Sequence, residues 1–346
     1  MLEALVRTMC SEKVLLLEKH SLLGGGGGSA SHFGYELDSG VHLLYKCPYW
    51  KSHAGLYRWL AGLSNTSFTG LRPQPFGDVR AGLISPPELS FGSRKNNGLL
   101  EAVKNLATIS FANILYLLGD RYLFPSKGTG RWVKDLEEQL IKYRCTIKAN
   151  TRVNSIEINH NACIVSDGNG NSFGGYSVVT SKRVHVDETV VNNSRVSFEI
   201  QKAILYHCFI LIESNTESRP LIAKFLNDQV VFAIADLSFT VCGDRKLPTG
   251  QRIIAFALQK RIDPEEIEPR SLLDLLKRRK IIEYSARLLS YEFSEYESIE
   301  STPSPHSLPA GVNRLEILSY DNMTRGLQSR LPKWKAQLRS KQVIIR

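Results

Sequence analysis

The sequence lacks most of the features that assign a chain to a class at sight. No apolar stretch approaches the roughly 18 residues a membrane-spanning helix needs, and the opening "MLEALVRTMCSEK" has no continuous apolar core of the kind a secretory signal carries. The six cysteines, Cys10, Cys47, Cys145, Cys163, Cys208 and Cys242, are scattered with no Cys-x-x-Cys pair. That pattern fits neither a small disulfide scaffold nor a thiolate zinc site, and the thiols read as buried ones. There is no zinc-finger, RNA-binding or helix-turn-helix signature, so no nucleic acid is expected as a partner. Ser-His-Asp, His-Glu-x-x-His and paired-carboxylate patterns do not rise above chance. Acid is missing from the last stretch, "TRGLQSRLPKWKAQLRSKQVIIR", whose charged residues are all Arg and Lys. A solvated helix face is the plain reading, with an anionic membrane surface next. Sequons at Asn65, Asn192 and Asn322 are short enough to arise by chance.

What is present is ordinary in bulk: 346 residues, 42% hydrophobic, 23% charged, formal net charge +10. The length suits two domains, or one with a large insertion, and allows a substantial core. Val14 to Leu17 is short, continuous and apolar, stops at Glu18, and predicts a buried parallel strand. The segment "FGYELDSGVHLL" predicts extended chain broken at Gly40. A loop-rich stretch follows from Trp50, and "NNGLLEAVKNLATISFANILYLLGDRYLF" predicts one or two helices. Beyond it, a glycine turn leads into an amphipathic helix from Arg131 to Tyr143, a strand over "TIKANTRVNSIEI", and a hairpin through "ACIVSD", "GNGN" and "GYSVVTS". The runs "ILYHCFILIE", "QVVFAIA", "LSFTVCG" and "RIIAFALQ" predict an antiparallel sheet. "SLLDLLKRRKIIEYSARLLSYEF" predicts a helix, and "STPSPHSLPAG" a loop. The fold class is therefore α/β, with a nucleotide-type domain interrupted by a second domain.

The tract Gly24 to Gly28 tests three mechanisms. A phosphate-gripping P-loop needs Lys-Ser or Lys-Thr after its last glycine, and here Ser29-Ala30-Ser31 follows. A dinucleotide turn must open a helix, and "GGGGGSASHFGYELDSG" does not read as one. The third concerns Glu18: in a βαβ dinucleotide unit an acid ends the second strand and binds the adenosine ribose, about 20 residues past the glycine turn. "VLLLE" has that composition and ending, and counting back about 20 residues lands before Met1.

Lys13 to Leu44 resembles the FAD-dependent amine oxidase and phytoene desaturase superfamily. The matching elements are "LLLEK", the pair Gly24-Gly25, and "YELDSGVHLL" with Asp38, Gly40 and His42. The branch holding retinol saturase and carotenoid isomerases is the most similar, and more glycine follows the pair here than in the family. A second block, "FPSKGTGRWVKDLEEQLIKYRCTIKANTRVNSIEI", is similar to the family's turn, helix and strand at Pro125, Gly128, Gly130, Leu136, Thr151, Val153 and Ile156. A third and weaker echo is "YEFSEYESIESTPSP".

The resemblance implies an incomplete FAD-binding domain, Rossmann-like and of the glutathione-reductase type, interrupted by an α+β substrate domain with an antiparallel sheet. It divides the chain into a partial FAD-binding domain (1–60), a helical substrate-domain insert (61–122), the FAD-binding helix, strand and hairpin (123–190), the substrate-domain sheet and helix (191–310), and a return segment with a basic tail (311–346). It also implies that the phosphate-binding turn and the closing "Y-L-x-G-D" segment are missing from this sequence, a truncation at both ends. The cofactor-binding residues it carries over are Glu18, Lys19, Gly24, Gly25, Gly40, His42 and Val153. His42 is also a residue type suited to proton transfer near neutral pH. Lys127 and Arg131 beside the glycine turn are phosphate candidates whose plain reading is a solvated helix start. Trp50, Tyr57 and Trp59 read as aromatic core before substrate tunnel. The implied activity is FAD-dependent oxidoreduction at carbon–carbon bonds of an apolar polyene or isoprenoid, with NAD(P) as an electron partner. Peripheral contact with the endoplasmic reticulum membrane is favoured over a cytoplasmic location. A non-catalytic splice form, fragment or pseudoenzyme that binds a partner is the open alternative.

Overall fold

A computed structural model describes residues 1–40, 59–71, 122–181, 184–215, 222–224, 229–242, 245–259, 263–279, 281–304, 314–318 and 323–341. Ahead of the first strand, where the sequence predicts no element, Leu2–Met9 forms helix α1. It buries Glu3, Ala4, Leu5, Val6 and Thr8. Strand β1 (Leu15–Leu17) ends at Glu18, as the apolar run predicts. Leu15 is nevertheless 38% exposed, so β1 is only half-buried. The glycine tract makes a single 3-10 turn and leads into a hairpin of β2 (Ser29–His32) and β3 (Tyr35–Asp38). Residues 59–64 are helical, and β4 (Phe68–Leu71) pairs antiparallel with β5 (Tyr122–Pro125). Of the segment predicted helical over 96–124, residues 96–121 lie outside the described residues, and its end, Tyr122 to Phe124, is strand in β5 because it pairs with β4.

Helix α2 (Gly128–Lys142) begins three residues earlier than the sequence predicts, because the glycines themselves form its first turn. The single strand predicted after it is two: β6 (Thr146–Lys148) runs parallel to β1, and β7 (Val153–Ile158) joins another sheet. The break falls at Asn150, whose positive φ of 53° redirects the chain. A meander of β7, β8 (Cys163–Asp167) and β9 (Ser172–Gly175) turns at "GNGN" as predicted, but the returning strand is Ser172–Gly175 and not the predicted "GYSVVTS", most of which joins another sheet. Asp167 ties that turn by accepting from the amides of Asn169 and Asn171. Strand β10 (Val178–Ser181) leaves the meander. Strand β11 (Glu188–Val191) returns parallel to β7, with β12 (Ser194–Arg195) beside it.

The second half is a five-stranded antiparallel sheet. Its strands are β13 (Phe198–Glu213), β14 (Ile222–Lys224), β15 (Val231–Asp236), β16 (Gln251–Leu258) and, after helix α3 (Pro269–Arg278), β17 (Arg287–Pro303), in the order β14-β15-β16-β13-β17. Two expectations are corrected here. "LSFTVCG" is not a strand: Ser238–Thr240 is a 3-10 turn, and only Cys242 bridges, to Glu36. The helix predicted over 271–293 stops at Arg278. Its apolar stripe ends with Ile281 and Ile282 folding under the sheet, and after a register shift past Leu288 the residues Tyr291 and Phe293 alternate with Ser290, Glu292 and Ser294 in the two-residue period of a strand. Strand β18 (Leu315–Leu318) then pairs parallel with β10, and helix α4 (Met323–Ser340) closes the described chain.

Side-chain alternation gives the sheet two dressed faces. Cys208, Ile210 and Ile212 of β13 point to α3, where Leu272, Leu273, Leu275 and Leu276 cover them. Phe209 and Leu211 point the other way, onto Tyr35 and Leu37 of the hairpin. A separate core joins α1, α2 and α4 around the fully buried Trp334, with Trp59 stacked on it at 5.6 Å. Trp59 is thus aromatic core. Burial of each such large side chain contributes on the order of 2–3 kcal/mol. Cys10, Cys145, Cys163 and Cys208 are buried free thiols, as expected, and Cys242 is half-buried. Burial raises the Cys208 thiol to about 12, far from reactive thiolate.

Candidate cofactor site and the hairpin joint

Strand β1 delivers Glu18 to the edge where β6 also ends. The Glu18 amide donates to the Lys148 carbonyl (3.0 Å), and the Glu18 carbonyl accepts from the Thr151 amide (2.7 Å). Val153 follows two residues later at the start of β7, so Glu18 and Val153, 135 apart in sequence (153 − 18), share this edge. The Glu18 carboxylate is half-buried and accepts the His20 amide on Oε1 (2.9 Å), which orients the group. The start of α1 lies at the same edge. Burial pushes the Met1 α-amine down, and Cys145, Glu3 and Glu18 oppose that shift. In a βαβ unit the helix start and the acid at the second strand's tip face one ligand, the first with amides and the second with oxygen. Lys19 is exposed beside Glu18.

Gly24 and Gly25 fold back against α2. Gly24 has φ +100°, and a Cβ there would sit 2.7 Å from Val133 Cγ1. No other residue fits that approach. A Cβ at Gly25 or Gly27 meets nothing within 4 Å, so the other side of the turn is open. The start of α2 is not open to phosphate. Asp38 caps it, its two carboxylate oxygens accepting from the amides of Thr129 and Gly130, both at 2.9 Å. Lys127 is exposed and Arg131 pairs with Asp135 at 2.8 Å, so both are solvated helix-start residues. Asp38 is 1% exposed, and burial pushes its carboxyl up to about 6 against the two amide donors, which favour the charged form.

Gly40 lies farther on, where the hairpin meets the antiparallel sheet. A Cβ there would touch His207 Cε1 at 2.9 Å. Around it, His32 stacks on Phe209 (centroids 3.7 Å apart) and hydrogen-bonds Glu292 through Nδ1 (2.9 Å). Glu292 also accepts the Phe33 amide (2.9 Å). His42 lies outside the described residues, as do Trp50, Tyr57 and Cys47. The structure therefore gathers Glu18, Lys19 and Val153 at one edge, sets Gly24 and Gly25 on α2, and holds Gly40 at a joint 28-40 links to through the hairpin, with the Ser39 amide donating to the Gly28 carbonyl (3.2 Å). Sequence reasoning passed over the α1 start and the His32–Glu292 pair, and it had Asp38 only as a motif position without its capping role. The α1 start carries no glycine motif. Asp38 finds its partner amides 91 and 92 residues away, and the His32–Glu292 pair spans 260 residues.

No protein-family model matches the chain, and no curated protein matches it in sequence. Solved structures do. One is a Pyrococcus furiosus protein at 14% identity and TM-score 0.56, with 96% of this chain and 94% of that chain covered. Another is putrescine oxidase bound to putrescine, at 9% identity and TM-score 0.55, with 98% and 95% covered. A third is p-nitrophenol 4-monooxygenase from Pseudomonas putida, at 11% identity and TM-score 0.50, with 98% and 77% covered. At such identities the likeness shows fold alone. At the level of overall α/β architecture, that fold is the one shared by FAD-binding oxidoreductases.

Proposed function

We propose that this chain is a FAD-dependent oxidoreductase of the phytoene desaturase and retinol saturase type, acting on carbon–carbon bonds of an apolar polyene or isoprenoid. The observation that carries the reading is Glu18: an oriented, half-buried carboxylate at the tip of a parallel strand, sharing its edge with the α1 start and the Thr151–Val153 backbone. These groups suit the adenosine end of a dinucleotide. Glu18 would hold the ribose hydroxyls, backbone near Val153 the adenine, and Gly24-Gly25 the close approach of the chain. When bound, the flavin supplies two-electron hydride chemistry.

The protein's own contribution is to position and to exclude water. The hairpin core of Tyr35, Leu37, Phe209 and Ile253 is dry, and it fixes Gly40 against the sheet. An apolar substrate is in keeping with the family resemblance, as is NAD(P) as an electron partner. No described helix is long and apolar enough to cross a membrane. Arg339 on α4 and Lys341 just past its end are exposed and would suit peripheral contact with anionic headgroups, such as those of the endoplasmic reticulum.

The visible spectrum of the purified protein tests the reading. It predicts flavin absorption bands at about one cofactor per chain after loading with FAD. A folded, colourless protein that takes up no FAD contradicts it and favours a partner-binding role without catalysis.

A further inference from the structure

Within the joint at Gly40, one atom has no structural employment. His32 Nε2 is buried and has no hydrogen-bond partner. A buried imidazole nitrogen left alone costs free energy comparable to a lost hydrogen bond, so its persistence calls for a reason. The other ring nitrogen supplies a clue. Nδ1 lies 2.9 Å from Glu292 Oε2 and donates to it, because a carboxylate can only accept. That bond fixes the tautomer and leaves Nε2 as a lone pair facing the interior. The two ends of the pair differ in access: the Glu292 side chain is 40% exposed, that of His32 only 8%.

His207 stands beside it and is half-buried. It and Phe209 are alternate residues on one face of β13, and both imidazoles lie against the Phe209 ring, with centroids 3.7 Å (His32) and 6.2 Å (His207) away. His207 touches Gly40 at its far edge. Among described residues, the groups facing these two rings are Glu292 and Ser294 of β17, Phe209 of β13 and Gly40 after β3, with Ser294 directly opposite His207 in the ladder. Burial, and then the charge of His32, lowers the His207 pKa, so the ring is a neutral acceptor near pH 7.

We infer that Glu292, His32 and His207 form a proton relay between solvent and the face of the molecule at Gly40. In this tautomer Nε2 takes up a proton relayed from His207 through an intervening water, and His32 passes its Nδ1 proton to the Glu292 carboxylate, which releases it to solvent. That transfer leaves the proton on Nε2, and from this tautomer the reverse order imports one. No electron moves and no bond to carbon forms or breaks, so each transfer balances in itself. The functional sense rests on the flavoprotein reading: adding or removing hydrogen at a carbon–carbon bond in a water-excluded site requires a proton route that the dry hairpin core otherwise closes. His32 and Glu292 are positioning residues in this scheme, since neither is placed against substrate.

Two readouts separate the relay from the parent reading. The first is the histidine NMR titration of the full chain, which needs no flavin. His32→Phe keeps the stack on Phe209 and removes both nitrogens. The relay predicts that the His207 titration midpoint rises and its ring N–H exchange with solvent slows about tenfold. Glu292→Gln, a change at the exposed end, predicts the same slowing to a lesser degree and serves if His32→Phe does not fold. The second is the proton-dependent half-reaction of FAD-loaded protein, expected to slow about a hundredfold in His32→Phe with loss of one limb of its pH profile. Unchanged His207 titration and exchange in both variants overturns the relay whether or not flavin binds. A colourless protein with coupled histidines retains the relay and refutes only the flavoprotein reading.

Discussion

Asp38 shows how much of this architecture one carboxylate holds. Its oxygens satisfy two amides at the start of α2, its own amide donates to Thr240 Oγ1 (3.3 Å), and Gly128 leaves room for it, since a Cβ there would sit 2.6 Å from Asp38 Oδ1. Asp38→Ala orphans both amides in a buried place, and a loss of about 2–3 kcal/mol in urea denaturation is expected, with Asp38→Asn losing less. The pH dependence has a definite sign. The folded-state carboxyl, at about 6, lies above its ordinary 3.8, so the native chain holds the proton more tightly. Its contribution is complete below pH 3.8 and gone above about 6, a span worth on the order of 3 kcal/mol that Asp38→Asn should flatten. His207 runs the other way. Burial depresses it below 6.5, so its contribution is complete above pH 6.5 and lost as pH falls through the folded value, and His207→Phe should remove that acid limb. Gly24→Ala meets both an unfavourable φ and Val133, and should cost about 2–4 kcal/mol, with Val133→Ala relieving only the contact. At this scale Glu18 was legible because a charge ending an apolar run is a local signal. Asp38 was legible only as part of a motif, since its capping role depends on amides across the chain.

Elements were legible where one period ran unbroken. Strand β1, helix α2 and the "GNGN" hairpin all stand close to where the residue pattern puts them. The stretch after α3 misleads because leucine and isoleucine serve both periods, and only the tertiary fold decides that Ile281 and Ile282 end one and the alternation through Phe293 begins the other. Helix α1 has eight residues, too short for intrinsic propensity to announce it, and its stability comes from docking. Trp334 of α4 is fully buried and donates Nε1 to Glu3 Oε2 of α1 (2.5 Å), while Arg330 and Lys333 of α4 reach Glu316 of β18. Trp334→Ala should therefore cost about 3–5 kcal/mol, with hydrogen exchange accelerating in both α1 and α4 rather than in α4 alone.

For the whole molecule, the order of α/β elements was readable, while the pairings that assemble them were not. Strands β10 and β18 are joined across more than a hundred residues, and β13 and β17 form their long ribbon around an intervening sheet and helix. What the assembled form adds is the role of the hairpin, whose two faces tie α2 to the antiparallel sheet through Asp38, Leu37 and Phe209. The Glu18 edge stands on the α1–α2 side of that tie and Gly40 on the sheet side. The central claim is that Glu18 grips the adenosine end of FAD, and parallel fluorescence titrations with FAD and FMN, for wild type and Glu18→Ala, test it most directly. The account predicts that wild type prefers FAD over FMN by at least about tenfold and that Glu18→Ala erases that preference while retaining its fold, a charged hydrogen bond being worth about 1.5–3 kcal/mol. Equal affinity for the two flavins in wild type, or an undiminished preference in Glu18→Ala, would contradict it.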